Sequence, residues 1–151
     1  MGDICVDIGS TRVNVRVGCI LKSEGKVLLT QTIGENWWFL PGGRVRAGES
    51  FHDAIVRELE EEIGCDVSVG RCIVVSENFF ENHGVRFHEI GAYFAAELRD
   101  SRDLVAQQHE NEMREWIVVN QAERMEIFPE FLRRIIASPP STVEHIVCRD
   151  S

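Results

Sequence analysis

The chain has 151 residues, 44% of them hydrophobic, and a formal net charge of −9. That length supports one domain with a real core, and the negative balance, with no run of basic residues, argues against a polymeric nucleic-acid partner. The opening MGDICVDIGS has no basic-then-apolar leader, no apolar run is long enough to cross a membrane, and Cys5, Cys19, Cys65, Cys72 and Cys148 form no C-x-x-C pair, so a soluble cytoplasmic protein with no membrane contact and no disulfide framework is expected.

Val13 to Leu21 alternates like a strand, Ser23-Glu24-Gly25 reads as a turn, and Lys26 to Thr30 returns as a second strand. Trp37 to Leu40 is a short apolar run stopped by Pro41-Gly42-Gly43. Ser50 to Ile63 has helical rhythm, with Ser50 and Asp53 resembling a capping box and Gly64 as a stop. Strands are expected over Val67 to Val75 and Phe87 to Leu98, then a polar loop from Arg99 to Glu112 that carries His109, then the strand-like WIVV from Trp116. Arg124 to Ala137 reads as a helix whose second half starts at Pro129. Strands interspersed with helices, without regular βαβ alternation, predict an α/β fold with a mixed β-sheet flanked by helices. One domain is expected over residues 1–137, and the tail 138–151, opened by Pro139-Pro140, has no assigned element.

The run Arg57 to Gly64, RELEEEIG, gathers four glutamates in one helix. At about 100° per residue, Glu58, Glu61 and Glu62 share a face, Ile55, Leu59 and Ile63 form the adjoining apolar stripe, and Asp53, Arg57 and Glu60 point elsewhere, toward water. Acids in the last turn oppose the helix macrodipole, at about 0.3–1 kcal/mol each, and repel one another. A divalent cation reverses both effects. In front of the helix, PGGRVRAGES supplies glycine-rich backbone that can approach a phosphate closely. Its Arg44 and Arg46 are candidate substrate contacts, as is Trp38, one of two adjacent tryptophans that a strand would turn to opposite faces. Gly43 to Ser50 has the spacing of an NTP-binding P-loop, but Glu49 stands where the lysine must meet phosphate, which defeats that mechanism.

Taken together, Gly43, Glu49, Arg57-Glu58-Leu59, Glu61-Glu62 and Gly64-Cys65 resemble the signature of the Nudix (MutT-like) hydrolases, G-x5-E-x7-R-E-U-x-E-E-x-G-U, with U aliphatic and Cys65 as the one departure. The resemblance implies an α/β/α sandwich and hydrolysis of a nucleoside diphosphate linked to another group X, with Mg²⁺ or Mn²⁺ as cofactor. It implies that Glu58, Glu61, Glu62 and the carbonyl of Gly42 hold the metal, and that Arg57 and Glu49 orient the site. The catalytic base is left between Glu58 and a downstream glutamate, Glu110 or Glu112. The expected partner is a small nucleoside diphosphate derivative, with a homodimer left open. Two alternatives keep the fold, a nucleotide-binding sensor with little turnover and a diphosphate isomerase.

Overall fold

The computed structural model describes residues 2–99, 107–109 and 111–149, the segment 107–109 by its backbone alone. Its elements are β1 (Cys5–Ile8), β2 (Thr11–Ser23), β3 (Lys26–Thr32), β4 (Gly42–Arg44), α1 (Phe51–Ile63), β5 (Val67–Asn82), β6 (Val85–Leu98), β7 (Gln107–His109), β8 (Glu112–Val118), α2 (Val119–Ala122), α3 (Leu132–Ala137) and β9 (Glu144–Arg149). His109, expected in a loop, therefore lies in a strand.

The strand β2 organises the sheet. One edge runs parallel to β6 from Thr11 to Leu21, while the other pairs in succession with β1, with β4 at Arg16–Gly18, and with β3 at its far end. The β2–β3 hairpin is thus joined only near its turn. β3 diverges to pair with β8 over its whole length, and the wedge that opens between β2 and β3 is filled by β4 and the chain leading into it.

Alternation along the strands makes two cores. Val17, Cys19, Leu21, Ala92 and Ala96 face α1, which contributes Ala54, Ile55, Leu59 and Ile63. Ile20, Val27, Leu29, Val74 and Tyr93 face the opposite side, where Ala122, Leu132, Ile135 and Ile136 of α2 and α3 cover them. A mixed sheet between helical layers is the α/β/α sandwich expected from the sequence.

Local signals explain the element ends. The Ser50 hydroxyl accepts a hydrogen bond from the Asp53 amide at 3.0 Å, and Gly64 closes α1 at φ 64°. The hairpin β5–β6 is longer than periodicity predicts. His83 and Gly84, at φ 52° and 78°, form the tight turn, and Phe80 and Phe87 stack across the ladder just behind it. The helix expected over 124–137 is confined to Leu132–Ala137, because the stretch before it is drawn into extended pairing. There the Trp38 amide donates to the Glu126 carbonyl, the Phe128 amide donates to the Trp38 carbonyl, and Ile127 is buried beside them. Residues 144–149, with no predicted element, lie parallel to β5 as β9. Among the described residues no helix is long and apolar enough to cross a membrane.

Tyr93 shows how tightly the central strands are fitted. Its ring lies against Gly18, where a Cβ would stand 2.8 Å from Cδ1 and Cε1. Gly18→Ala is therefore expected to lower stability by about 1–3 kcal/mol, the cost of overpacking a close-fitted core. Thermal or urea unfolding of the variant checks it, and an unchanged midpoint would mean that the ring relaxes freely.

Candidate functional site

One guanidinium ties the segment between β4 and α1 to the helix. Arg57 Nε donates to Glu49 Oε2 at 2.7 Å and Nη2 donates to Glu49 Oε1 at 2.8 Å, a bidentate pair. The same Nη2 reaches the Arg44 carbonyl at 3.2 Å, and Nη1 donates to Glu58 at 2.9 Å and Glu61 at 3.4 Å. Glu49 also accepts from the Arg46 amide at 3.0 Å. Helical geometry alone sends Arg57 toward water. Instead its side chain is only 18% exposed, because the incoming loop folds back over it. These bonds hold the Glu49 carboxyl down to about 2 and raise Arg57 further above its ordinary value.

Glu58 is pressed against the backbone. A Cβ on Gly43 would fall on its carboxylate, so a side chain there would have to displace Glu58 from this contact. Gly42, at φ 154°, packs on β2 so closely that a side chain there would meet the Val17 carbonyl and Gly18 Cα. Burial raises the Glu58 carboxyl, and the Arg57 hydrogen bond opposes that rise.

Glu62 lies deeper. Burial pushes its carboxyl up to about 8, with Arg114 opposing and Glu58 and Glu112 reinforcing. Its Oε2 meets no hydrogen-bond donor, and Arg114 Nε stands 3.8 Å away. Arg114, 2% exposed in β8, donates from Nη2 to Glu112 at 2.8 Å, leaving its Nε and Nη1 without acceptors. Sequence reasoning missed Arg114, because only the β3–β8 register brings it under α1. Among the described residues no three His, Cys, Asp or Glu side chains converge closely enough to chelate an ion as they stand. Glu58 and Glu61 turn to Arg57, and Glu62 faces Arg114. The donor set nevertheless fits a small hard cation: three carboxylates on one helix face, one with a buried oxygen lacking a donor, beside glycine backbone.

A cavity of about 760 Å³ opens beside these groups. Arg16 and Arg44, directly opposite each other on β2 and β4, line it together with Glu112, Tyr93 and the aromatic side chains Trp37, Phe39, Phe80, Phe87 and Phe128. Of the sequence candidates for substrate contact, Arg44 lies in this wall. Trp38 does not. It packs against the second core beside Ile127, and the alternation that buries it turns Trp37 into the cavity. Arg46 reaches Glu61 at 3.8 Å and Asp3 at 4.0 Å rather than the cavity. Glu110 lies outside the described residues. Arg16, unremarked in the sequence, became visible only through its register with Arg44.

Arg114 opposes the rise of the buried Glu62 carboxyl and donates to Glu112, so removing the cation drives Glu62 further toward its neutral form and leaves Glu112 without that donor. Arg114→Met is expected to cost about 1–3 kcal/mol in metal-free protein, the cost of leaving buried polar groups unsatisfied. Adding Glu62→Gln should restore part of it. Denaturant unfolding of both single variants and the double variant measures the coupling, and additive losses would show that the two side chains do not interact.

The NUDIX domain family matches residues 11–138 of this chain. An uncharacterized Nudix hydrolase, YvcI of Bacillus subtilis, is 46% identical over 46 residues, covering 30% of this chain and 29% of that protein. The CTP pyrophosphohydrolase of Escherichia coli is 32% identical over 76 residues, covering 48% and 56%. The chain thus spans less than two thirds of the length of these curated relatives. Among solved structures, a NUDIX hydrolase from Nitrosomonas europaea shares the fold at TM-score 0.70 and 21% identity, covering 91% of this chain and 79% of that one. The ORF135 protein of Escherichia coli aligns at TM-score 0.58 and 25% identity, covering 91% and 100%. With a family match across most of its length and the signature folded into one charged loop-helix unit, the chain belongs to the Nudix family.

Proposed function

We propose that the protein is a divalent-cation-dependent pyrophosphohydrolase that cleaves the diphosphate bond of a nucleoside diphosphate linked to a second group X. The observation that carries this reading is the Arg57 network, which ties Glu49, the Arg44 carbonyl, Glu58 and Glu61 into one unit beside a cavity walled by arginine and aromatic side chains. Family relatives named CTP pyrophosphohydrolase and RNA pyrophosphohydrolase support a nucleotide anhydride as substrate.

In this reading Glu58, Glu61, Glu62 and the Gly42 carbonyl hold Mg²⁺ or Mn²⁺, which when bound neutralises diphosphate charge and makes water more acidic. Arg44, and Arg16 beside it, take phosphate oxygens. Glu49 and Arg57 orient the loop without contacting substrate. Glu112 lines the cavity and is anchored by Arg114, which supports it as the acceptor of the attacking water's proton; Glu58 is the competing base. Water attacks phosphorus, the bridging P–O bond breaks, and the products are a nucleotide and phosphorylated X.

A panel of nucleoside triphosphates, nucleotide sugars and dinucleoside polyphosphates with Mg²⁺ tests the activity through nucleotide release. Turnover should vanish in excess EDTA, and persistence in chelator would exclude the cation's role. Binding without release from any member would instead make the protein a sensor. Within the active enzyme, Arg57→Lys cannot serve Glu49 bidentately and the Arg44 carbonyl together. It should lower kcat about a hundredfold while circular dichroism stays native, since about 1 Å of misplacement can cost that much. A parent-like rate would reduce Arg57 to charge balance.

A further inference from the structure

The cavity floor carries a buried carboxylate that no step above uses. Glu89 of β6 has Asn14 of β2 and Asn78 of β5 as its direct neighbours in the ladders, so the three share one face of the sheet. They are 7%, 2% and 8% exposed. Glu89 and Asn78 line the cavity. Asn14 stands behind Glu89 and donates to its Oε2 from Nδ2 at 3.3 Å, while its own Oδ1 meets no donor. A carboxylate can only accept, and its two oxygens have room for about four hydrogen bonds. One long bond from a neutral amide leaves capacity for further donors on the side that faces the cavity.

The neighbouring rows give this group a context. On one side, two residues along each strand, Phe87 and Phe80 stack with centroids 4.9 Å apart and planes 3° from parallel. On the other side Asn14 is followed two residues later by Arg16, roughly 7 Å along the strand, which stands opposite Arg44. Along the strand direction the floor therefore presents a flat aromatic pair, then an acceptor-rich polar row, then arginines. Trp37 and Phe128, edge to face at 5.7 Å, add further aromatic wall.

We infer that Glu89, with Asn78 and the supporting Asn14, reads the nucleobase of the substrate and selects one that presents adjacent N–H donors, the edge that guanine offers through N1–H and its 2-amino group. The 6-carbonyl of guanine then accepts from the Asn78 carboxamide. Uracil and thymine flank a single N–H with carbonyls, which set lone pairs against the carboxylate. Adenine and cytosine place a ring-nitrogen acceptor beside their amino group, so each satisfies only one carboxylate oxygen. The phosphate-facing arginines lie next to this row, as the two ends of one nucleotide require.

This inference rests on reading the site as a nucleotide hydrolase, so its test separates binding from turnover. Calorimetric titration of the full chain with GMP, IMP, CMP and UMP in Mg²⁺ should give GMP at least tenfold tighter than the others, IMP being guanine's analogue without the 2-amino group. Glu89→Gln should bring the GMP to IMP ratio close to one. Equal affinities in the parent protein overturn the inference, and they do so whether or not the buried variant folds. GMP preference without hydrolysis of any diphosphate would keep the base reader and remove the hydrolase. Hydrolysis with no base preference would do the reverse.

Discussion

Arg57 is the group on which the rest of the site depends. Its guanidinium meets both oxygens of Glu49, the Arg44 carbonyl and the acids of its own helix. The loop from Val45 to Ser50 is paired at its start, Val45 with Ile4 and Val15 and Ala47 with Gly2, while nearer the helix it has the Glu49 amide to the Arg46 carbonyl at 3.0 Å and the contacts of Arg57. Side chain and loop therefore order one another. A planar cation with five donors in fixed directions suits this task, because each bond it makes orients the next at little further entropic cost. Once the loop is pinned, β4 can lie in the wedge between β2 and β3, and the glycines at 42 and 43 can bring backbone against both β2 and the Glu58 carboxylate.

The same constraint explains how an acidic helix survives in a chain of net charge −9. Apart from the exposed Glu60, its glutamates are not simply solvated. Glu58 and Glu61 share Arg57, Glu61 also faces Arg46, and Glu62 faces Arg114. The compensation is uneven, since Glu62 retains an oxygen without a donor and Arg114 retains two nitrogens without acceptors. Buried groups left in that condition cost stability. The fold carries the cost where the family's chemistry is expected, in keeping with the way strain and unsatisfied polarity collect at functional sites.

Much of this was legible in the sequence because its causes are local. The Ser50 cap, the Gly64 stop and the shared face of Glu58, Glu61 and Glu62 follow from helix geometry, and the glycine, glutamate and arginine spacing announced the loop-helix unit. Pairings between distant strands were not legible. Arg114 meets Glu62 only because β8 pairs with β3, and Glu89 meets Asn14 only because β6 lies parallel to β2 across 75 residues of chain. Which of Trp37 and Trp38 meets the cavity was not legible for the same reason, since strand alternation turns them to opposite sides but the partner, Ile127, decides which side is core. The helix expected from Arg124 was lost to that pairing. The strand β9 has a clear alternation of half-buried and exposed residues, yet two prolines before it masked the pattern.

The charged loop-helix unit and the cavity wall are thus built by different parts of the chain. The charged unit rests on β4 and α1, held by bonds that hardly involve the far side of the sheet. The cavity's outer wall comes from the β5–β6 hairpin and from β9, which delivers Cys148 and Arg149, with the Arg149 guanidinium 4.2 Å over the Phe79 ring. The strand β9 lies beyond the residues that match the family. A side chain changed in that wall alters what the cavity can seat without touching the Arg57 network, whereas a change at Glu49 or Gly43 disturbs the loop before any substrate arrives. The division is physical: the wall is built from aromatic stacking and ladder register, which tolerate exchange of side chains, and the charged unit from bidentate hydrogen bonds and close glycine contacts, which tolerate it less.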